Sequence, residues 1–97
     1  MAEYRLGPAA QRDLDGIFDY TVEHWGIAQA IRYMQAVKTV CAGLADSPMR
    51  GRPCNHIRPG YRFAIVERHK VYFRIAPYGI AVIRILHDRM DASRHLS

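Results

Sequence analysis

The residues best suited to chemistry lie near the end of the chain, in the stretch 83–96, IRILHDRMDASRHL. It opens as an apolar alternation and turns polar at His87. An imidazole there can take or give a proton near neutral pH. Arg84 stands just before it, and Arg74 lies in the preceding alternating run. Planar guanidinium groups hold carboxylate or phosphate through two-point contacts. His87, Arg84 and Arg74 are therefore the candidate catalytic set, for acid–base work on an anionic substrate. Two features count against it. In an extended strand, parity places His87 with Ile83 and Ile85, on the face opposite Arg84. No second acid or base stands beside it either: His69 falls in a hairpin turn, and His24 and His56 lie elsewhere.

The charge distribution supports an acidic partner. Residues 1–49 carry four Lys or Arg against six Asp or Glu, a net of −2, and residues 50–97 carry ten against three, a net of +7. Most of the cations are arginine, so nucleic acid and an acidic protein segment both fit. The two cysteines, Cys41 and Cys54, have no metal-ligand or redox spacing and read as free thiols. No metal or cofactor motif is present. No apolar run approaches the roughly 18 to 20 residues of a membrane span. The first residues lack the pattern of a secretory signal. A cytoplasmic protein without membrane contact is expected.

These residues must be positioned by a small fold. The run EYRL at 3–6 reads as a short strand. Pro8 suits a first helical position. Ala10, Leu14, Ile17, Phe18, Thr21 and Trp25 then recur at helical spacing on one face, and Gly26 can end the helix. Trp25 suits either that core-facing stripe or an exposed anchor. A second helix follows over about 27–45, with Tyr33, Val37, Cys41 and Leu44 on its stripe. The tiny link makes the two helices an antiparallel hairpin. Residues 47–60, rich in proline, glycine and arginine, read as a loop.

Three strands follow: YRFAIVE, KVYFRIA and IAVIRIL. Their period-two alternation and short links predict an antiparallel meander. The order β-α-α-β-β-β is a two-layer α+β fold, one domain over residues 1–97, with the helix hairpin on an antiparallel sheet. Parity places Arg62, Arg74 and Arg84 on the open sheet face, with Val82 and Leu86 beside Arg84. Such a basic and apolar face suits a docked partner.

Taken together, these motifs resemble a known family. YRLGPAAQRDLDGIFDYTVEHWG is similar to the strand, P-A-A-x-x-D-L helix and x-W-G of ParE-type toxins from bacterial toxin–antitoxin pairs. The middle of the chain resembles the family's P-x-x-G-R loop and R-P-G-x-R strand start. GIAVIRILHDRMD resembles its last strand and L-H-x-R-M-D tail. The likeness runs from Tyr4 to about Leu96. Gly7 departs from it, standing where a serine cap is common.

The resemblance implies the RelE/ParE fold and a toxin that blocks replication by binding DNA gyrase. It implies a ParD-like antitoxin that wraps the toxin in a hetero-oligomer and carries the complex to operator DNA. The sister RelE branch cuts mRNA on the ribosome, which needs a base for the 2′-OH, a proton donor for the leaving oxygen and cations on the phosphate. A toxin that acts by contact needs none of these, so no enzyme activity is expected. Arg62, Arg74, Val82, Arg84 and Leu86 are the expected antitoxin contacts. Trp25, Tyr33, Arg89, Met90 and Arg94 are the expected target contacts. Basicity alone would also permit a plain DNA-binding module, but neither helix has a recognition-helix pattern. Removing the tail after Leu86 is expected to abolish toxicity and leave the core folded.

Overall fold

The computed structural model describes residues 2–96. Strand β1 (Glu3–Leu6) leads into helices α1 (Pro8–Trp25) and α2 (Ile27–Asp46). A short 3-10 turn precedes a two-residue strand β2 (Arg52–Pro53). Strands β3 (Tyr61–Val66), β4 (His69–Ala76) and β5 (Gly79–His87) follow, and a short helix α3 (Ala92–Leu96) ends the chain. The sheet order is β1-β5-β4-β3-β2. The α+β class and the helix hairpin are as the sequence implies. The sheet is antiparallel except at β1, which runs parallel to β5. The amide of Glu3 donates to Tyr78 O at 2.7 Å and that of Gly7 to Val82 O at 3.0 Å, fixing both ends of this pairing.

Gly26 does the work of the whole interhelical turn. Its φ of 90° lies in the left-handed region that glycine adopts without steric cost. Its N–H donates to Val22 O, closing α1, while its carbonyl accepts from Ala30 N–H, opening α2. The apolar stripe of the hairpin, including Ala10, Leu14, Tyr33, Val37 and Cys41, then packs on Val66, Val71, Phe73, Val82 and Ile85. Burial raises the Cys41 thiol pKa to about 11, so it behaves as a small apolar core residue.

A second apolar cluster fills part of the other sheet face. There Tyr72 and Leu86 meet Cys54 from the loop and Ala92 and Leu96 from α3, with Tyr61, Phe63 and Ile83 at the margin. The expected open face is therefore partly roofed, and Cys54 is buried in it. Removing the tail would uncover this cluster, so truncation after Leu86 would damage the fold as well as the surface.

The strand parity also fails, for a definite reason. Tyr72 pairs with Arg84, but the next residue, Phe73, pairs with Val82. Ile83 is an extra residue in β5, a β-bulge. Beyond it the alternation shifts by one. Val82 and Ile85 both point to the helices, while Ile83 and Leu86 point to the second cluster. Val82 and Leu86, expected as exposed antitoxin contacts, are both buried.

The bulge sits where β1 runs out, since Leu6, the last residue of β1, pairs with Val82. Past that point β5 has no neighbouring strand on this side, and Asp13 of α1 replaces one. Its Oδ2 accepts the Ile85 amide at 3.0 Å and Arg84 Nε at 2.7 Å, while Oδ1 accepts Arg84 Nη2 at 2.9 Å. Both side chains of the ion pair are largely shielded from solvent. Asp13→Ala should lose about 1–3 kcal/mol of stability, because it strands the Ile85 amide and a shielded guanidinium. Asp13→Asn keeps an acceptor and should recover part of that loss. Urea denaturation of the three proteins checks this; equal midpoints would mean the clamp holds nothing.

Candidate functional site

The end of β5 places His87 beside a groove of about 970 Å³. Helix α1 contributes Arg12, Tyr20 and Trp25 to it. Helix α2 contributes Tyr33, the β3–β4 turn Arg68, and the tail Arg89 and Met90. Four of the five expected target contacts, Trp25, Tyr33, Arg89 and Met90, are thus brought together. The fifth, Arg94, lies apart, exposed on α3 near Asp91. Trp25 is not a core residue: it is 73% exposed. Tyr33 has the opposite character, since it is buried and forms the floor.

The floor is a hydrogen-bonded cluster. Tyr33 Oη lies 3.0 Å from Val66 O and 2.6 Å from His69 Nδ1. A single hydroxyl proton satisfies both if Tyr33 donates to the carbonyl and accepts Nδ1–H from His69. Burial, then the nearby Glu67 carboxylate, pushes the Tyr33 pKa up to about 12, so it stays a neutral phenol. His69 pairs across the sheet with His87, and their rings meet edge to face at 5.4 Å. His87 Nδ1 lies 3.1 Å from the Arg89 amide, which donates to it, and 3.0 Å from Asp88 Oδ1. A second imidazole therefore does stand beside His87. The sequence reading missed it because it assigned residues 68 and 69 to the hairpin link. The turn is in fact Glu67–Arg68, with Glu67 at φ 53°, and His69 begins β4.

The expected cationic stripe does not exist. Arg62, paired with Phe73, lies on the helix side of β3 rather than the open face, and donates from Nη2 to Gly51 O at 2.8 Å. Arg84 is held by Asp13 at the strand edge. Arg74 alone remains exposed on the sheet face opposite the helices, so it lies far in the fold from the His69–His87 pair it was expected to assist. The bulge separates Arg84 from Arg74, and no residue pattern short of the full register announces it. Three cations do meet at the groove: Arg12, Arg68 and Arg89, which form no ion pair among the described residues. A second groove, of about 730 Å³, lies between the helices beside β1, lined by Leu6, Phe18, Ile31 and Met34 with Lys38 and two aspartates. Among the described residues no three His, Cys, Asp or Glu side chains gather as metal ligands. No helix among them is long and apolar enough to cross a membrane.

Comparison with known proteins gives a consistent result. A family model described as the ParE toxin of the type II toxin–antitoxin system parDE matches residues 4–92. The chain is 41% identical to a protein named Toxin ParE1 from Mycobacterium tuberculosis over 96 residues, covering 98% of both. It is 35% identical to a Toxin ParE1 from Caulobacter vibrioides, covering 99% of both. Its fold is similar to a structure of the chromosomal ParDE system from P. aeruginosa, with a TM-score of 0.77 at 26% identity, covering 90% of this chain and 96% of that one.

The His69 environment has a consequence for stability. Burial, and then the neighbouring His87, lower its pKa below the ordinary 6.5, while Asp88 partly opposes the shift. The unfolded chain then takes up the proton first as pH falls. The contribution of His69 is complete above about 6.5 and declines as pH falls through that value towards the lower folded one. The urea midpoint of the native protein should therefore fall more between about pH 7.5 and about pH 5 than that of His69→Gln. Parallel curves for the two proteins would mean that His69 titrates as it does in the unfolded chain.

Proposed function

We propose, for a chain that belongs to the ParE toxin family of type II toxin–antitoxin systems, that it inhibits DNA gyrase by contact and is neutralised by a ParD-like antitoxin. The observation that carries this reading is the groove between α1 and the tail. Trp25, Met90 and Arg89 stand exposed there beside a hydrogen-bonded floor, and residues of these types are enriched at protein interfaces. No covalent chemistry is needed for such an action. The mRNA-cleaving alternative gains one favourable observation, the adjacency of His69 and His87. Against it, Arg74 and Arg84, the cations it would need on the phosphate, lie away from the pair.

The antitoxin has a separate place to dock. The groove beside β1 is apolar with charged rims, and the edge of β1 is free on the side away from β5. An amphipathic helix laid in that groove, or a strand added to that edge, would suit it. This replaces the stripe of Arg62, Arg74 and Arg84 as the expected contact surface. Operator DNA would be reached only through the antitoxin, in a hetero-oligomer.

The test is a supercoiling assay with purified gyrase, run beside a ribosome-dependent mRNA cleavage assay. The native chain should inhibit supercoiling and leave mRNA intact. The double change Trp25→Ala, Met90→Ala should raise the inhibitory concentration at least about tenfold, equivalent to about 1.4 kcal/mol, with an unchanged circular dichroism spectrum. RNA cleavage that disappears in His87→Ala, with gyrase unaffected, would replace the gyrase reading.

A further inference from the structure

We propose that the groove between α1 and the tail binds a single-stranded polynucleotide segment, DNA or RNA, with its phosphates on Arg12, Arg68 and Arg89 and an unstacked base on Trp25. This rests on the reading of the groove as the target-facing surface and names a partner for it. It is carried by two kinds of group meeting in one place.

The first is uncompensated cation. Arg12, Arg68 and Arg89 come from three separate elements, and none forms an ion pair among the described residues. Two carboxylates also line the groove. Asp13 is consumed by Arg84 and the Ile85 amide, which leaves Glu67 alone against the three arginines. An exposed arginine is common, but three converging on a concave surface form an anion-holding frame. The spread of the three over separate elements suits a chain of phosphates better than a single one.

The second is open aromatic surface. Trp25 is 73% exposed and Tyr20 60% exposed, both on α1 and both lining the groove. Tyr20 already stacks on His24, with ring centroids 4.0 Å apart, which steadies it as a platform. Cations that track a backbone, with aromatic faces for the bases, are the general chemistry of sequence-tolerant single-strand binding. A paired duplex hides its base faces and would use only the arginines. An acidic peptide would likewise use the arginines but offers no base to the indole. The exposed rings therefore favour the single strand. The arginines and the indole address phosphate and base, which both polymers share, so both should bind.

Trp25 is the only tryptophan in the chain, so its fluorescence reports directly on the groove. The probes are short oligo(dT) and oligo(U), titrated into the full chain without gyrase. Both should quench Trp25 emission, and fluorescent versions should show a matching rise in anisotropy. The logarithm of the binding constant should fall with the logarithm of salt with a slope of roughly −2, as three phosphate contacts on a single strand require. Arg68→Glu with Arg89→Glu should weaken binding at least about tenfold, and so should Trp25→Leu, read by anisotropy. Arg74→Glu, on the opposite sheet face, should change nothing. If only one polymer binds, the proposal stands and the sugar is recognised.

Three results would overturn it: no binding of either polymer, equal or tighter binding of a duplex or of polyglutamate, or full affinity in Trp25→Leu. Gyrase inhibition by a chain that binds no oligonucleotide overturns this inference and leaves the gyrase reading intact. Oligonucleotide binding with no effect on gyrase supports this inference and removes that reading.

Discussion

The carboxylate of Asp13 sets the phase of the last strand, and the site depends on that phase. A sheet edge left without a partner exposes amides that must be satisfied by water or by side chains. In this chain β1 stops at Leu6, and α1 turns back over the sheet at once. Asp13 meets β5 where the next strand residue would have been, and takes both the Ile85 amide and the Arg84 guanidinium. That contact joins helix, strand edge and bulge. With Ile85 drawn under the helices, His87, two residues on, points to the same side and reaches the groove. Without the bulge, Val82 and Ile85 could not both serve the helix-side core.

The same phase explains why the chemistry-bearing residues redistribute. Two sets of arginines differ in what their guanidinium groups reach. Arg62 and Arg84 use their planar heads to fasten a loop and a strand edge. Arg12, Arg68 and Arg89 have no such duty and surround the groove. A count of cations along the sequence cannot separate them, because the difference lies in what each guanidinium finds within reach. The basic half of the chain is real, but its net charge overstates the charge available to a partner on any one face.

Much of the fold is legible from local pattern. Pro8 and Gly26 bracket α1, the Tyr33–Val37–Cys41–Leu44 stripe marks α2, and alternation marks all three long strands. These features are local: capping, glycine conformation and side-chain period act within a few residues. What was not legible is long-range. The parallel return of β1 to β5, the bulge at Ile83 and the pairing of His69 with His87 all depend on contacts between distant segments. Trp25, Arg89 and Met90 meet in one groove because they lie at element ends, where side chains project past the core, while Tyr33 reaches it as part of the buried floor. The antitoxin candidates do not share one exposed face: the Ile83 bulge turns Val82 to the helices, α3 covers Leu86, and Arg62 pairs with Phe73 on the helix side of β3.

The tail shows how exposure and order can coexist. At its near end the Asp88 amide donates to Arg68 O at 2.8 Å and the Met90 amide to His87 O at 3.0 Å. At its far end Ala92 and Leu96 are buried against Tyr72 and Leu86. Arg89 and Met90 lie between these two anchors with their side chains free. Association costs free energy for every segment that must be ordered, and a backbone already fixed at both ends avoids most of that cost. The tail is therefore an anchored element rather than a frayed end. Its apolar residues close the second cluster, and that closure holds Arg89 and Met90 at the rim of the groove. Any change that loosens α3 would also free the backbone that places Arg89 and Met90 at the rim.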